Sequence, residues 1–246
     1  MLIALLSDIH SNREAFEACL AAAKNAGAEK YVILGDIVGY GADPEWCVDK
    51  CQELQTAGAI LVRGNHDQAV NETNPSFTKS ALTCLVWTRY QLDEADRNWL
   101  GQLPLTVTDE NRLYVHADAS SPADWNYVHE ADNARQHFNA CPADISFCGH
   151  IHRPAIYSQS SLSKVTAFTP NSANPVPLLS GRKWLCVLGS VGQPRDANPA
   201  AAFCLYDTNT RNIRYMRTTY DVQTAVAKIK AAGLPTATAE RLLKGK

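Results

Sequence analysis

No stretch of this 246-residue chain approaches the about 20 consecutive apolar residues that a helical membrane span requires. Neither sign of charge dominates, since 23 Lys and Arg stand against 25 Asp and Glu for a net charge of -2. That balance offers no phosphate-tracking surface for a long nucleic acid and no basic patch for a membrane surface. There is no C-x-x-C, although the chain has eight cysteines, most of them inside apolar runs such as "ISFCGH" and "WLCVLG". Buried reduced thiols of this kind act as small hydrophobes. Cys47 and Cys51 lie one helical turn apart, but no second pair completes a metal site. The opening "MLIALL" lacks a basic n-region and is too short for a signal h-region, so it reads as a first strand. Together with the thiols, this leads us to expect a reducing, cytoplasmic setting. What remains is an ordinary globular composition, 46% apolar, suited to one sizeable core.

The first half alternates short apolar runs with helical patterns. "LIALLS" precedes "SNREAFEACLAAAKNAG", where Ser11 and Glu14 fit a capping box and Gly27 sits at a helix end. "YVILGD" reads as a strand, and "DPEWCVDKCQELQTAG" as a helix capped by Asp43, opened by Pro44 and closed by Gly58. "AILVRG" is a third strand. This order argues for right-handed βαβ units and a parallel sheet. Residues 76–103 read as two helices meeting near Asp93, and 130–140 as another. "RLYVHA" and "DISFCGH" return to strand character. Residues 158–180, rich in Ser, Thr, Asn and Pro, read as an exposed insertion with hairpin character that follows "GHIHRP" and is placed to overhang a pocket. "KWLCVLGSVG", "AAFCLYD" and "IRYMRTTYD" then suggest an antiparallel part of the core, followed by two C-terminal helices.

In open α/β sheets, ligands gather beyond the carboxyl ends of the strands. Just past the expected strand ends stand Asp8 and His10, Asp36, then Asn65, His66 and Asp67, then His116, and finally His150 and His152. Five of the seven histidines are in that set, and only His129 and His137 lie elsewhere. Imidazole with carboxylate favours first-row transition metals over Ca²⁺ or Mg²⁺. The set holds more ligands than one ion can use. Two ions about 3.5–4 Å apart and sharing a carboxylate would use it fully, and would suit in-line attack on phosphorus. No cysteine belongs to the set, which sets aside a structural zinc site.

The ordered series D-x-H, G-D-x-x-x-x-G, G-N-H-D, H and G-H-x-H resembles the calcineurin-like metallophosphoesterase superfamily. Here it is Asp8–His10, Gly35–Gly41, Gly64–Asp67, His116 and Gly149–His152. "GDIVGYGADP" and "GSVGQPRD" further resemble a branch of small single-domain bacterial and archaeal phosphoesterases. The resemblance covers roughly residues 1–220 and implies an α/β fold, a four-layer αββα sandwich, with residues 1–246 as one domain. It implies two divalent transition-metal ions, manganese first, with iron, zinc, nickel or cobalt as alternatives. Asp8, His10, Asp36 and His152 would hold one ion, and Asp36, Asn65, His116 and His150 the other. A hydroxide bridging the two ions would attack phosphorus. His66 would protonate the leaving oxygen, and Asp67 would bond that imidazole and keep it cationic. The implied partner is a small phosphorylated substrate, of nucleotide type, cleaved at a phosphodiester or phosphomonoester bond. A dinucleoside polyphosphate hydrolase, a protein phosphatase and a catalytically silent scaffold are the alternatives.

Three departures from the family pattern stand out, one of them the insertion at 158–180. Ala117 and Asp118 follow His116, where relatives often carry glycine, and Asp118 reads as either a support for the site or a turn residue. Val187 and Leu188 replace an asparagine and a proline before "GSVG". Arg13, Arg153 and Arg195 are the basic residues nearest the motifs and read first as surface charges. Tyr40, Trp46 and Trp125 read first as packing residues.

Overall fold

The computed structural model describes residues 1–72 and 77–246. The chain forms β1 (Leu2–Leu6), α1 (Arg13–Asn25), β2 (Lys30–Ile33), α2 (Pro44–Thr56), β3 (Ile60–Leu61), α3 (Asn65–Ala69), α4 (Lys79–Gln91), α5 (Glu94–Gln102), β4 (Thr106–Asp109) and β5 (Arg112–Val115). It continues through α6 (Ala131–Ala140), β6 (Ile145–Cys148), β7 (Ala155–Gln159), β8 (Val165–Phe168), β9 (Val176–Pro177), β10 (Lys183–Val187), β11 (Ala201–Asp207), β12 (Asn212–Thr218), α7 (Val222–Ala231) and α8 (Thr236–Lys244). The expected start of the first mid-chain helix, at Ser76, lies outside the described residues; the helix is described from Lys79.

Two six-stranded sheets carry the fold, in the orders β3-β2-β1-β11-β12-β9 and β4-β5-β6-β10-β7-β8. Strand periodicity explains why they stack. In β1, Ile3 and Leu5 point into a core shared with Tyr114, Phe147, Ile156 and Cys186 of the second sheet. Ala4 and Leu6 point the other way, against Phe16 and Cys19 of α1 and Val48 of α2. A strand buried on both faces reads as a continuous apolar run, as "LIALL" does. The outer face of the second sheet, through Val115, Cys148, Leu185 and Val187, packs on Ala134 and Phe138 of α6. Helix, sheet, sheet, helix is therefore the layering, and the mixed sheets flanked by helices form the expected αββα sandwich.

Several local expectations change. The first helix is capped by Asn12, whose side chain accepts from the Ala15 amide; Ser11 instead accepts from the Gly39 amide. β10 does not continue into an antiparallel run with β11. It lies in the second sheet, parallel to β6 and antiparallel to β7, while β11 and β12 form a hairpin in the first. Continuous apolar runs do not reveal which of two sheets a strand joins. Within 158–180, β7 and β8 form a hairpin, and β9 crosses over to pair with β12. Leu178 anchors this crossing in the intersheet core.

The arrangement gives both sheets a parallel portion, β1-β2-β3 in one and β5-β6-β10 in the other. The carboxyl ends of these strands meet at one end of the sandwich, and every motif residue follows one of them. Amides of the β10–β11 loop tie the two sheets together there: Val191 donates to Ser7 O and Gly192 to Asp8 O, each at 2.9 Å.

Candidate metal centre

The loops after β1, β2 and β6 carry their side chains on unusual backbone. Asp8 (φ 56°), His10 (49°), Asp36 (52°), His150 (68°) and His152 (59°) all occupy the left-handed region. Such a conformation costs a non-glycine residue about 1–3 kcal/mol and persists only where surroundings over-determine it. The loops supply that constraint. Asp8 N donates to Gly35 O, His10 N to Asp36 O, Gly149 N to His116 O and Arg195 N to His152 O. Gly64 shows how tight the site is, because a Cβ there would lie 2.2 Å from both the Asp36 amide nitrogen and Asp36 Oδ1.

Asp8, His10, Asp36 and His152 offer ligand atoms that all lie within 4.8 Å of one another, and so do Asp36, His116 and His150. Asp36 belongs to both groups. Its Oδ2 stands 3.6 Å from His10 Nε2 and 3.4 Å from His116 Nε2, while its Oδ1 accepts from the His66 amide at 2.9 Å. Asn65 Oδ1 lies 3.2 Å from His116 Nε2 and so joins the second group. All seven residues expected to ligate metal are therefore brought together. Asp8, His10, Asp36, His116, His150 and His152 are buried.

Hydrogen bonding fixes the direction of each imidazole. His10 Nδ1 meets Val38 O at 3.1 Å, His116 Nδ1 meets Leu34 O at 2.6 Å, and His152 Nδ1 meets Gln193 O at 2.6 Å. His150 uses its other nitrogen, with Nε2 at 2.9 Å from Trp125 O. A carbonyl can only accept, so each of these nitrogens carries a proton and the opposite nitrogen is turned inward. Those inward nitrogens face one another: His10 Nε2 is 3.1 Å from His152 Nε2, and His116 Nε2 is 3.1 Å from His150 Nδ1. Bare lone pairs at that separation repel unless a cation, a proton or a metal ion, sits against them. Backbone carbonyls that fix the tautomer of an imidazole are the usual support of a metal-ligating histidine. The residues present thus fit divalent metal binding.

The charges agree. Burial would raise the Asp8 pKa, but facing His152 holds it below the usual carboxylate range. Burial acts likewise on Asp36, and His116 and His66 hold it well below its ordinary value. Desolvation pushes His10 well down, and with the adjacent His116 it pushes His150 down to about 3. Although burial opposes it, Asp36 raises His116 to about 9. The cluster is built around two ionised carboxylates and asks for positive charge.

His66 and Asp67 are placed differently from expectation. The His66 ring is buried between Tyr40 (centroids 4.7 Å), Phe77 (4.8 Å) and His10 (4.9 Å), and borders a cavity of about 720 Å³ over the cluster. Its Nδ1 is buried without a hydrogen-bond partner among the described residues. Asp67 does not hold that ring. Its Oδ1 accepts from the amides of Ile37 (2.8 Å) and Val38 (3.2 Å), and its Oδ2 from that of Gly64 (3.0 Å). A helical turn at Asn65–Ala69 swings adjacent side chains about 100° apart, which sends Asp67 under the loops and His66 toward the cavity. Nor is the imidazole held cationic: burial pushes its pKa down to about 4. Burial and neighbouring Asp36 push Asp67 up to about 7, against the pull of its backbone donors.

Asp118 does not reach the cluster. It accepts from the Ser120 hydroxyl and lies 3.5 Å from His137 Nδ1, so it ties the loop after His116 to α6. The segment 158–180 contributes no residue to the cavity lining, which corrects the expectation of an overhang. Tyr40, Phe77, Tyr127 and Arg241 do line it. Of these only Tyr40 falls within a motif, at an unassigned position of Gly35–Gly41, and Arg241 arrives from the far end of the chain.

The model of the calcineurin-like phosphoesterase superfamily domain matches residues 1–211. The chain belongs to the calcineurin-like phosphoesterase superfamily. An uncharacterized protein of Methanocaldococcus jannaschii is 34% identical over 251 residues, covering 100% of this chain and 98% of that one. The crystal structure of a metallophosphoesterase from Sphaerobacter thermophilus is 32% identical and superposes with a TM-score of 0.88, covering 100% of this chain and 99% of that one. A hypothetical protein from Pyrococcus horikoshii shares the fold at 21% identity and a TM-score of 0.81, over 100% of this chain and 98% of that one. The fold of these two solved structures covers the full length of the chain, and the buried Asp/His cluster sits where the parallel strands end.

Proposed function

We propose that the protein is a binuclear-metal phosphoesterase that hydrolyses small phosphorylated molecules of nucleotide type. The observation that carries this reading is the inward convergence of four imidazole nitrogens, each ring fixed by a carbonyl behind it, around the shared carboxylate of Asp36. Asp8, His10, His152 and Asp36 would hold one ion, and Asp36, Asn65, His116 and His150 the other, with manganese the first candidate for both. When bound, the ions supply positive charge against the phosphoryl oxygens and lower the pKa of water beside them. The neutral amide of Asn65 adds a ligand oxygen without adding negative charge next to the phosphate. His66 borders the cavity, where the negative charge of a bound phosphate would favour its cationic form and let it protonate the departing oxygen, with Tyr40 and Phe77 fixing the plane of its ring. Asp67 acts one step back, binding the backbone of the Asp36 loop to that of Gly64. The eight cysteines are all buried and unpaired, which suits a reducing cytoplasm.

The experiment is hydrolysis of bis-p-nitrophenyl phosphate by metal-stripped protein, before and after Mn²⁺ is added. Return of turnover at about two ions per chain is expected. Failure of Mn²⁺, Zn²⁺, Co²⁺, Ni²⁺ and Fe²⁺ alike to restore any turnover would contradict the catalytic reading.

A further inference from the structure

The three arginines near the motifs are sorted sharply by the structure. Arg13 turns outward, paired with Glu17 at 3.0 Å and lying over Trp46. Arg153 is exposed and donates its Nε proton to Arg195 O at 2.7 Å. Arg195 lines the cavity, with its guanidinium carbon 5.8 Å from the ring centre of Tyr40. Its Nη2 donates to Gln193 Oε1 at 3.0 Å, but its Nε is buried without a partner among the described residues.

A second guanidinium joins it. α8 packs Ala239 and Leu242 against α7, α4 and Tyr40, and this brings the exposed Arg241 to the same cavity. The two segments are fastened to each other: Ala197 N, just beyond Arg195, donates to Gly245 O at 2.8 Å. Both guanidinium groups act on the phenol of Tyr40, which burial otherwise drives upward in pKa. Among the described residues, neither arginine has a carboxylate within 4.0 Å. Glu72 and Asp124 also line the cavity, but from other segments, and Glu72 accepts from Gln68 at 2.6 Å.

Two guanidinium groups without carboxylate partners among the described residues, in a cavity whose floor is the proposed phosphate site, call for a further anion. Guanidinium forks match phosphate oxygens in pairs. Across the cavity, Tyr127 is 50% exposed and stacks on His150 with ring centres 4.3 Å apart, so an apolar ring face meets the ligand in the same space. Resting on the phosphoesterase reading above, we infer that Arg195 and Arg241 form a second anion subsite beside Tyr40, and that the substrate is a nucleotide bearing a phosphate besides the one that is cut.

The test is calorimetric titration of thymidine 5′-phosphate and thymidine 3′,5′-bisphosphate into the Mn²⁺-loaded full chain. The two probes share base and sugar and differ by one phosphate. The bisphosphate is expected to bind about tenfold more tightly, a preference that shrinks with added salt. Arg195→Ala and Arg241→Ala should each remove most of that preference, and Arg241→Lys should keep part of it, with folding checked by circular dichroism. Affinities within about twofold of each other in the unmodified chain would overturn the inference. So would a preference that survives both alanine variants, or an equal loss for both nucleotides, which would put the guanidinium groups on the cut phosphate itself. Turnover of bis-p-nitrophenyl phosphate is scored separately: turnover without a binding preference defeats the subsite alone. A preference without any turnover defeats the hydrolase reading and leaves the subsite standing.

Discussion

Replacing Asp67 distinguishes two roles for the last residue of "GNHD". If it orients His66, Asp67→Asn should lower turnover and leave stability almost untouched. The structure assigns it three buried backbone donors, from Ile37, Val38 and Gly64. Asparagine keeps one carbonyl oxygen, enough for Ile37 and Val38, but its amide group then faces the Gly64 N–H donor to donor. One buried amide left unsatisfied costs about 1–3 kcal/mol. For a chain of this size, 1 kcal/mol corresponds to roughly 2–4 °C in Tm, so Asp67→Asn should lower Tm by about 4–8 °C for a mid-range loss of about 2 kcal/mol. Asp67→Ala abandons all three donors and should cost about 3–6 kcal/mol, a large part of a typical folding stability of about 5–15 kcal/mol. Because Asp67 links the Asp36 loop to Gly64, metal affinity should fall with stability. Thermal melts and metal titrations on both variants are the assay. A Tm within about 1 °C of the parent for Asp67→Asn, with turnover greatly reduced, would refute the backbone role and restore the orienting one.

Other outcomes follow from the same geometry. His66→Ala should cost about 10²–10⁴ in rate for an ester with an alkoxide leaving group and much less for p-nitrophenolate; equal losses in paired kinetic assays would count against proton donation. Gly64→Ala puts a methyl group 2.2 Å from Asp36 atoms, so the purified variant should bind less than half the parent's metal by elemental analysis, and normal loading would show that the loops give way easily. Lys228 sits 2.9 Å from Asp43 and 2.5 Å from Glu14, joining α7 to the starts of α1 and α2. Lys228→Ala should destabilise by about 1–2 kcal/mol in urea denaturation without changing metal content. An unchanged midpoint would show that solvent screens the contact.

Much of this was legible in the chain because its chemistry is local to strand ends. "SDIH", "LGD", "GNHD", "YVH" and "FCGHIH" each close a short apolar run, and the fold gathers those ends at one place. The layering was expected from the resemblance those motifs carry, and runs such as "LIALL", apolar on both faces, agree with it. Residues whose partners are distant in sequence were harder to read. Asp67 looks like a partner for its neighbour His66, but a helical turn separates the two side chains, and two of its three donors come from a loop about 30 residues away. β10 has the same apolar character as β11, and only pairing with β6 assigns it to the other sheet. Arg241 carries no motif and reaches the cavity because α8 packs back over α4 and Tyr40. The carbonyls of Val38, Leu34, Gln193 and Trp125 that steer the imidazoles are backbone atoms, which no residue letter announces.

The most direct test of the account is an anomalous-scattering map of crystals grown with Mn²⁺. Two peaks are expected, one enclosed by Asp8, His10 and His152, the other by Asn65, His116 and His150, with Asp36 reaching both. A single peak, or peaks away from these side chains while the cluster stays empty, would contradict the binuclear centre on which the proposed function rests.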